Sequence, residues 1–213
     1  MLSRTASCLF WMARYMERAE NLARLLDVSQ QLALMPGADE SVVAMPLDII
    51  DLREQFEATG KPLNAEEVAY FLMLQNDSPS SIMVSLRQAR ENAHVVRGTI
   101  TGELWEAVNT TWLDMKPMTR TKLRSQGFSR FLEWVKERSH LYRGVLVGTS
   151  QRNDAFDFSR LGTYLERADN TGRLFRYHLE AFAAPDQTGR PSYYAWAALL
   201  RSLLALVVVC VAA

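Results

Sequence analysis

The stretch Arg14-Tyr15-Met16-Glu17-Arg18-Ala19-Glu20-Asn21-Leu22-Ala23-Arg24-Leu25-Leu26 aligns without a gap on Thr163-Tyr164-Leu165-Glu166-Arg167-Ala168-Asp169-Asn170-Thr171-Gly172-Arg173-Leu174-Phe175. Seven of the thirteen positions are identical. A match of this quality at one fixed offset indicates two related elements. The spacing of their apolar residues makes both of them helices. At about 100° per residue, Glu17, Asn21 and Arg24 share one strip, and Glu166, Asn170 and Arg173 share the corresponding one. The opposite face of the first copy carries Trp11, Tyr15, Leu22 and Leu26. Arg18 and Arg167 fall at its border, where an aliphatic stem can pack while the guanidinium reaches outward.

Three arrangements account for such strips. Charges at i and i+4, such as Glu20 and Arg24, can pair along a solvated face for a few tenths of a kcal/mol each. That explains charge but not repetition. Alternatively, the two helices pair with each other, so that Glu17 meets Arg167 or Arg173 and Glu166 meets Arg18 or Arg24 in a half-buried network. In the third arrangement the strips line a cleft, where arginine forks hold a carboxylate or phosphate and a glutamate serves as base.

Outward from the repeat the chain reads as helix after helix, with no period-two alternation between turn signals. The spacing predicts a first helix from Ser7 to Met35, ended by Pro36-Gly37, and a second opened by Pro46 and running to Gly60. Asn64 with Glu67 marks the cap of a third. Ser78-Pro79 reads as cap and first-turn proline of a helix reaching Gly98, and another fills Gly102 to Lys116. The pattern resumes after Thr119, with Gly127 as a break and Gly148 as an end. A long helix then spans Asp154 to Ala183, and a final one starts near Ser192. The fold class is therefore all-α, a multi-helix bundle with two related long helices.

Lysine plus arginine equal aspartate plus glutamate at 24 each, so no global field draws the protein onto nucleic acid or an anionic membrane. The cysteines, Cys8 and Cys210, stand at opposite ends without metal or redox spacing, which suits a reducing compartment. Arginines and glutamates follow the short apolar stretch Ala6 to Ala13 at once, without a cleavage signal, so a cytoplasmic location is expected. From Tyr193 to Ala213 the only charge is Arg201. The uncharged part after it is shorter than the roughly 20 residues that a membrane span needs, and reads as a buried helix.

The repeat resembles the bacterial alpha-E proteins, a family of helical domains named for a Glu-Arg motif and without a defined reaction. The resemblance rests on Trp11-x-x-Arg14-Tyr15-x-Glu17-Arg18-Ala19-Glu20-Asn21 and Leu161-Gly162-x-Tyr164-Leu165-Glu166-Arg167-Ala168-Asp169. It extends to Asp77-Ser78-Pro79-Ser80-Ser81-Ile82, Ala89-Arg90-Glu91-Asn92-Ala93 and Trp196-Ala197-Ala198-Leu199-Leu200-Arg201. It implies an alpha-E-like domain over residues 1–202 and an apolar tail over 203–213 that departs from the family pattern, as in a C-terminally truncated form. It further implies partners: an ATP-grasp protein of the peptide-ligase kind and a transglutaminase-like cysteine protease, acting together on peptide or amide bonds.

Glu91-x-x-His94 and Glu137-x-x-His140, with Glu17 and Glu166, make the ligand list of a di-iron carboxylate bundle. The flanking arginines oppose two added cations, and the order along the chain is not the usual one. In the resembled family the place of His94 is commonly arginine, which cannot ligate. No Walker loop, nucleophile elbow, zinc spacing or dinucleotide fingerprint is present, so no cofactor is expected. Cys8 reads as an inert thiol, and Trp105, Trp112, Trp134 and Trp196 as core. The expected function is a helical adaptor for the ligase and protease partners. The alternative is an enzyme or ligand-binding module in which Glu17 and Glu166 do acid-base work while Arg18, Arg24, Arg167 and Arg173, with Asn21 and Asn170 beside them, orient an anionic peptide or acyl group.

Overall fold

The computed structural model describes residues 1–34, 40–78 and 80–183, the last four as backbone only. Among them are nine helices and no strand: α1 (Ser3–Ala33), α2 (Glu40–Ile49), α3 (Arg53–Glu57), α4 (Ala65–Leu74), α5 (Ile82–Val95), α6 (Gly102–Met115), α7 (Arg120–Gln126), α8 (Phe128–Thr149) and α9 (Asp154–Ala183). The chain is all-α, as its periodicity requires. The expected stop at Pro36-Gly37, the helix near Ser192 and the tail after residue 202 lie outside the described residues.

Several boundaries differ from the sequence reading, each for a local reason. Pro46 does not open a helix but sits inside α2, where the Val42 carbonyl left without its helical amide accepts instead from the Ser29 hydroxyl at 3.0 Å. The cap before α5 is Ser81, whose hydroxyl accepts from the Val84 amide at 3.2 Å, and not Ser78. Ser81 also donates to the Gln75 carbonyl at 2.6 Å, so it closes the preceding turn as well. Helix α5 ends at Val95 rather than Gly98, and α8 runs one residue past Gly148. Asn64, Thr101 and Thr119 cap α4, α6 and α7 through side-chain oxygens. Gly127, with φ 85°, turns the chain between α7 and α8.

Two compact units divide the chain. One comprises Met1–Ala23 with Ala69–Arg167, the other Arg24–Val68 with Ala168–Ala213. In the first, α5 packs on α6, α6 on α8 and α7 on α8. Leu86, Val108, Leu132 and Leu146 fill the centre with Met12, Met16 and Met73.

Within this unit α1 and α9 run parallel and in register. A Cβ on Gly162 would meet the Phe10 carbonyl oxygen at 2.2 Å and the Ala13 Cβ at 3.2 Å. Further along, Arg14 and Arg18 reach Glu166, and Arg167 reaches Glu17. Partner numbers rise together on both helices, which defines the parallel sense. Ala13 and Gly162 are equivalent positions of the two copies, so the helices approach where each copy carries a small residue.

In the second unit, α2 ends on Asp51 in the left-handed region, φ 62°. The Leu52 amide bonds back to the Leu47 carbonyl at 2.9 Å and the Asp51 amide to Asp48 at 3.3 Å, which is a Schellman closure. Leu47 and Leu52 hold the two apolar positions of this motif, and both are buried. The helix therefore stops here instead of reaching Gly60, and α3 restarts at Arg53. Glycine is the usual residue at such a position because it lacks the Cβ penalty. Asp51→Gly is expected to raise stability by about 0.5–1 kcal/mol, read as a rise in melting temperature of about 1–4 °C.

Candidate functional site

The first unit holds a cluster of charged side chains where the two motif copies meet. Glu166, 4% exposed, accepts from Arg18 Nε at 2.6 Å on one oxygen, and from Arg14 Nε at 2.6 Å and Arg18 Nη2 at 3.1 Å on the other. Glu17, 3% exposed, accepts from Arg167 Nε at 2.8 Å on Oε1 and from Arg143 Nη1 at 3.1 Å on Oε2. The Glu-Arg pairs are thus exchanged between helices: each motif glutamate takes the other copy's arginine. Parallel register makes the exchange possible, because it sets the two dipeptides side by side.

Arg143 comes from α8, outside the repeat, and also forks onto both carboxylate oxygens of Glu20. Burial works against its charge, but the hydrogen bonds and charges of Glu20 and Glu17 outweigh that and hold its pKa above the ordinary guanidinium value. His140 Nε2 lies 3.4 Å from Glu20, one helical turn away. Neither Arg14, Glu20 nor Arg143 was singled out by the strip. Arg143 carries no repeat signal, but it follows the buried Val135 and Ser139 at eight and four residues, which places it toward the inner side of α8.

The face assignments need correction. Glu17 and Glu20 point inward with Met12, Met16 and Ala19, whereas Trp11 is 37% exposed and Tyr15 half-buried. The reason is that the aromatic rings cover arginines. The Arg14 guanidinium lies 5.1 Å from the Trp11 ring and that of Arg18 5.4 Å from Tyr15, so each cation is held between a ring face and Glu166. Trp105 and Trp134 are likewise half-buried beneath Arg90, Arg97 and Arg138 rather than central; Trp112 is half-buried too, and Trp196 lies outside the described residues.

Of the remaining expected site residues, Arg173 bonds to Asp169 in its own helix at 3.1 Å. Arg24, Asn21 and Asn170 are half-buried, and Glu166 takes neither Arg24 nor Arg173 as a partner. Tyr142, also on α8, is fully buried beside this cluster; burial, with the Glu17 charge adding to it, pushes its phenol up and keeps it a neutral donor. Its hydroxyl and the Asn21 amide nitrogen find no hydrogen-bond partner among the described residues.

His94 lies against Trp105 with the rings tilted at 45°, Glu91 pairs with Arg90, and Glu137 is exposed, so the di-iron ligand list is not brought together. Among the described residues no group of three or more histidine, cysteine or acidic side chains has metal-binding geometry. None of the described helices is long and apolar enough to cross a membrane. Cys8 is a free, half-buried thiol.

No curated protein and no solved structure matches this chain. A family model does, over residues 1–208, and it describes a predicted alpha-helical domain with a conserved ER motif. The Glu17-Arg18 and Glu166-Arg167 dipeptides that cross-pair in the cluster are such motifs, and the chain belongs to the Alpha-E family.

Proposed function

We propose that this protein is a non-catalytic helical accessory protein, acting in the cytoplasm with an ATP-grasp peptide-ligase-like protein and a transglutaminase-like cysteine protease on peptide or amide bonds. One observation carries the reading: every carboxylate oxygen of Glu17 and Glu166 already accepts from a guanidinium. A general base needs a free oxygen within reach of a substrate proton. Two buried carboxylates, each engaged on both oxygens and only 3% and 4% exposed, do not offer one, whereas held by four arginines they fix the register of two helices. The ligand-binding alternative draws its support from the buried Tyr142 hydroxyl beside Glu17.

The test is co-expression with an ATP-grasp protein and a transglutaminase-like protease from the same genome, followed by native mass spectrometry. A complex of defined stoichiometry is the expected result. If neither protein binds and the isolated chain instead carries one stoichiometric small anion that is lost in Tyr142→Phe, the accessory reading is wrong and the pocket reading takes its place.

A further inference from the structure

Helix α9 exposes a row of residues that has no cover among the described residues. Ala168, Gly172, Phe175 and Leu179 follow one another at intervals of four, three and four, and all four are exposed, Phe175 by 43% and Leu179 by 61%. The same alternation continues back through Leu165 and Leu161, so one side of the helix carries an unbroken heptad seam. On the inward side Leu174 and His178 are buried, which fixes the seam as the outward face. Asp169 and Arg176 flank it, both exposed.

We infer that this face docks a second copy of the same chain, α9 against α9, antiparallel about a two-fold axis between residues 173 and 174. Two properties of the seam single out this occupant. The first is shape. In that register Phe175 of each copy meets Gly172 of the other, and Leu179 meets Ala168, so each large side chain enters the space left by a small one. Nothing lies within 4 Å of a Cβ built on Gly172, so the space is open. The second is charge. The same register brings Asp169 of each copy, which also holds Arg173 of its own helix at 3.1 Å, beside Arg176 of the other, giving two symmetry-related ion pairs at the rim. A two-fold contact must be self-complementary in this way, with residue i on j and j on i. A random apolar face satisfies neither condition. The inference does not depend on the accessory function proposed above.

Sedimentation velocity of the full chain at graded concentrations tests it. The wild type should dimerise, and Phe175→Glu should weaken the dimer about 100-fold or more, since two phenyl groups are withdrawn and two charges buried. Phe175 is exposed, so circular dichroism should show the fold unchanged. Asp169→Arg should weaken association about tenfold, and the reciprocal double variant Asp169→Arg with Arg176→Asp should restore it. Mixing the Asp169→Arg chain with an Arg176→Asp chain should give a heterodimer in preference to either homodimer. A wild type that remains monomeric at about 100 μM overturns the inference, because a specific interface of this kind associates below that concentration. A dimer indifferent to Phe175→Glu and to the charge exchange also overturns it, since the contact then lies on another face.

Discussion

Glu166→Ala is expected to cost about 3–5 kcal/mol of folding stability, the range for removing one member of a buried ion pair and leaving the other charged. The glutamate is 4% exposed and holds two guanidiniums, Arg14 and Arg18, whose side chains are only 16% and 24% exposed. Neither arginine can release its proton to escape the loss of a counter-ion. Both therefore stay cationic against the aromatic rings that cover them, or must break their packing to reach water. Domains of this size hold a net stability of about 5–15 kcal/mol, so the variant stands close to unfolding. Urea denaturation measures the effect as a shift in midpoint at constant slope. The contrasting substitution is Arg173→Ala, whose pair with Asp169 lies on the surface and should cost less than about 1 kcal/mol. If Glu166→Ala also loses less than about 1 kcal/mol, the cross-paired cluster is ornamental and the helices are held by apolar packing alone.

Gly162→Val should be nearly as damaging, at about 3 kcal/mol, through a different mechanism. The added Cβ would lie 2.2 Å from the Phe10 carbonyl oxygen and 3.1 Å from its carbon, both backbone atoms that cannot rotate away. Helices α1 and α9 would have to separate, and the Glu-Arg exchange one turn further on would lengthen with them. Gly144→Ala, in α8, has nothing within 4 Å of its new methyl group and should instead stabilise, by up to about 1 kcal/mol from helix propensity. Thermal unfolding of the two variants side by side distinguishes a close approach from a general intolerance of substitution. A Gly162→Val melting temperature equal to wild type would mean that the helices are not in contact there.

Much of this was legible in the sequence because helices announce themselves by period and punctuation. The span from Asp154 to Ala183 was read to the residue, and the pairing of Glu17 with Arg167 and Glu166 with Arg18 was among the alternatives that the repeat allowed. What escaped was set by tertiary partners. Pro46 is tolerated inside α2 because the Ser29 hydroxyl takes up the Val42 carbonyl, and the helix stops at Asp51, a left-handed aspartate that looks like any other in a sequence. Trp11 and Tyr15 were assigned to the buried face on hydrophobicity, yet their rings cover cations at the edge of a cluster. Arg143 was missed because it belongs to neither copy of the repeat, and only the packing of α8 brings it to Glu17 and Glu20.

The parallel pairing of α1 with α9 also sets a timetable for biosynthesis. Phe10 and Gly162 are separated by most of the chain, and at about 5–20 residues per second the first helix leaves the ribosome roughly 10–30 seconds before its mate exists. Both halves of the cluster wait through nearly all of that interval. Glu17 meets Arg143 only 126 residues further along the chain and Arg167 only 150 further. Arg14 and Arg18 have no Glu166 to pair with until the second motif copy is made, so the cluster closes late in synthesis and almost at once.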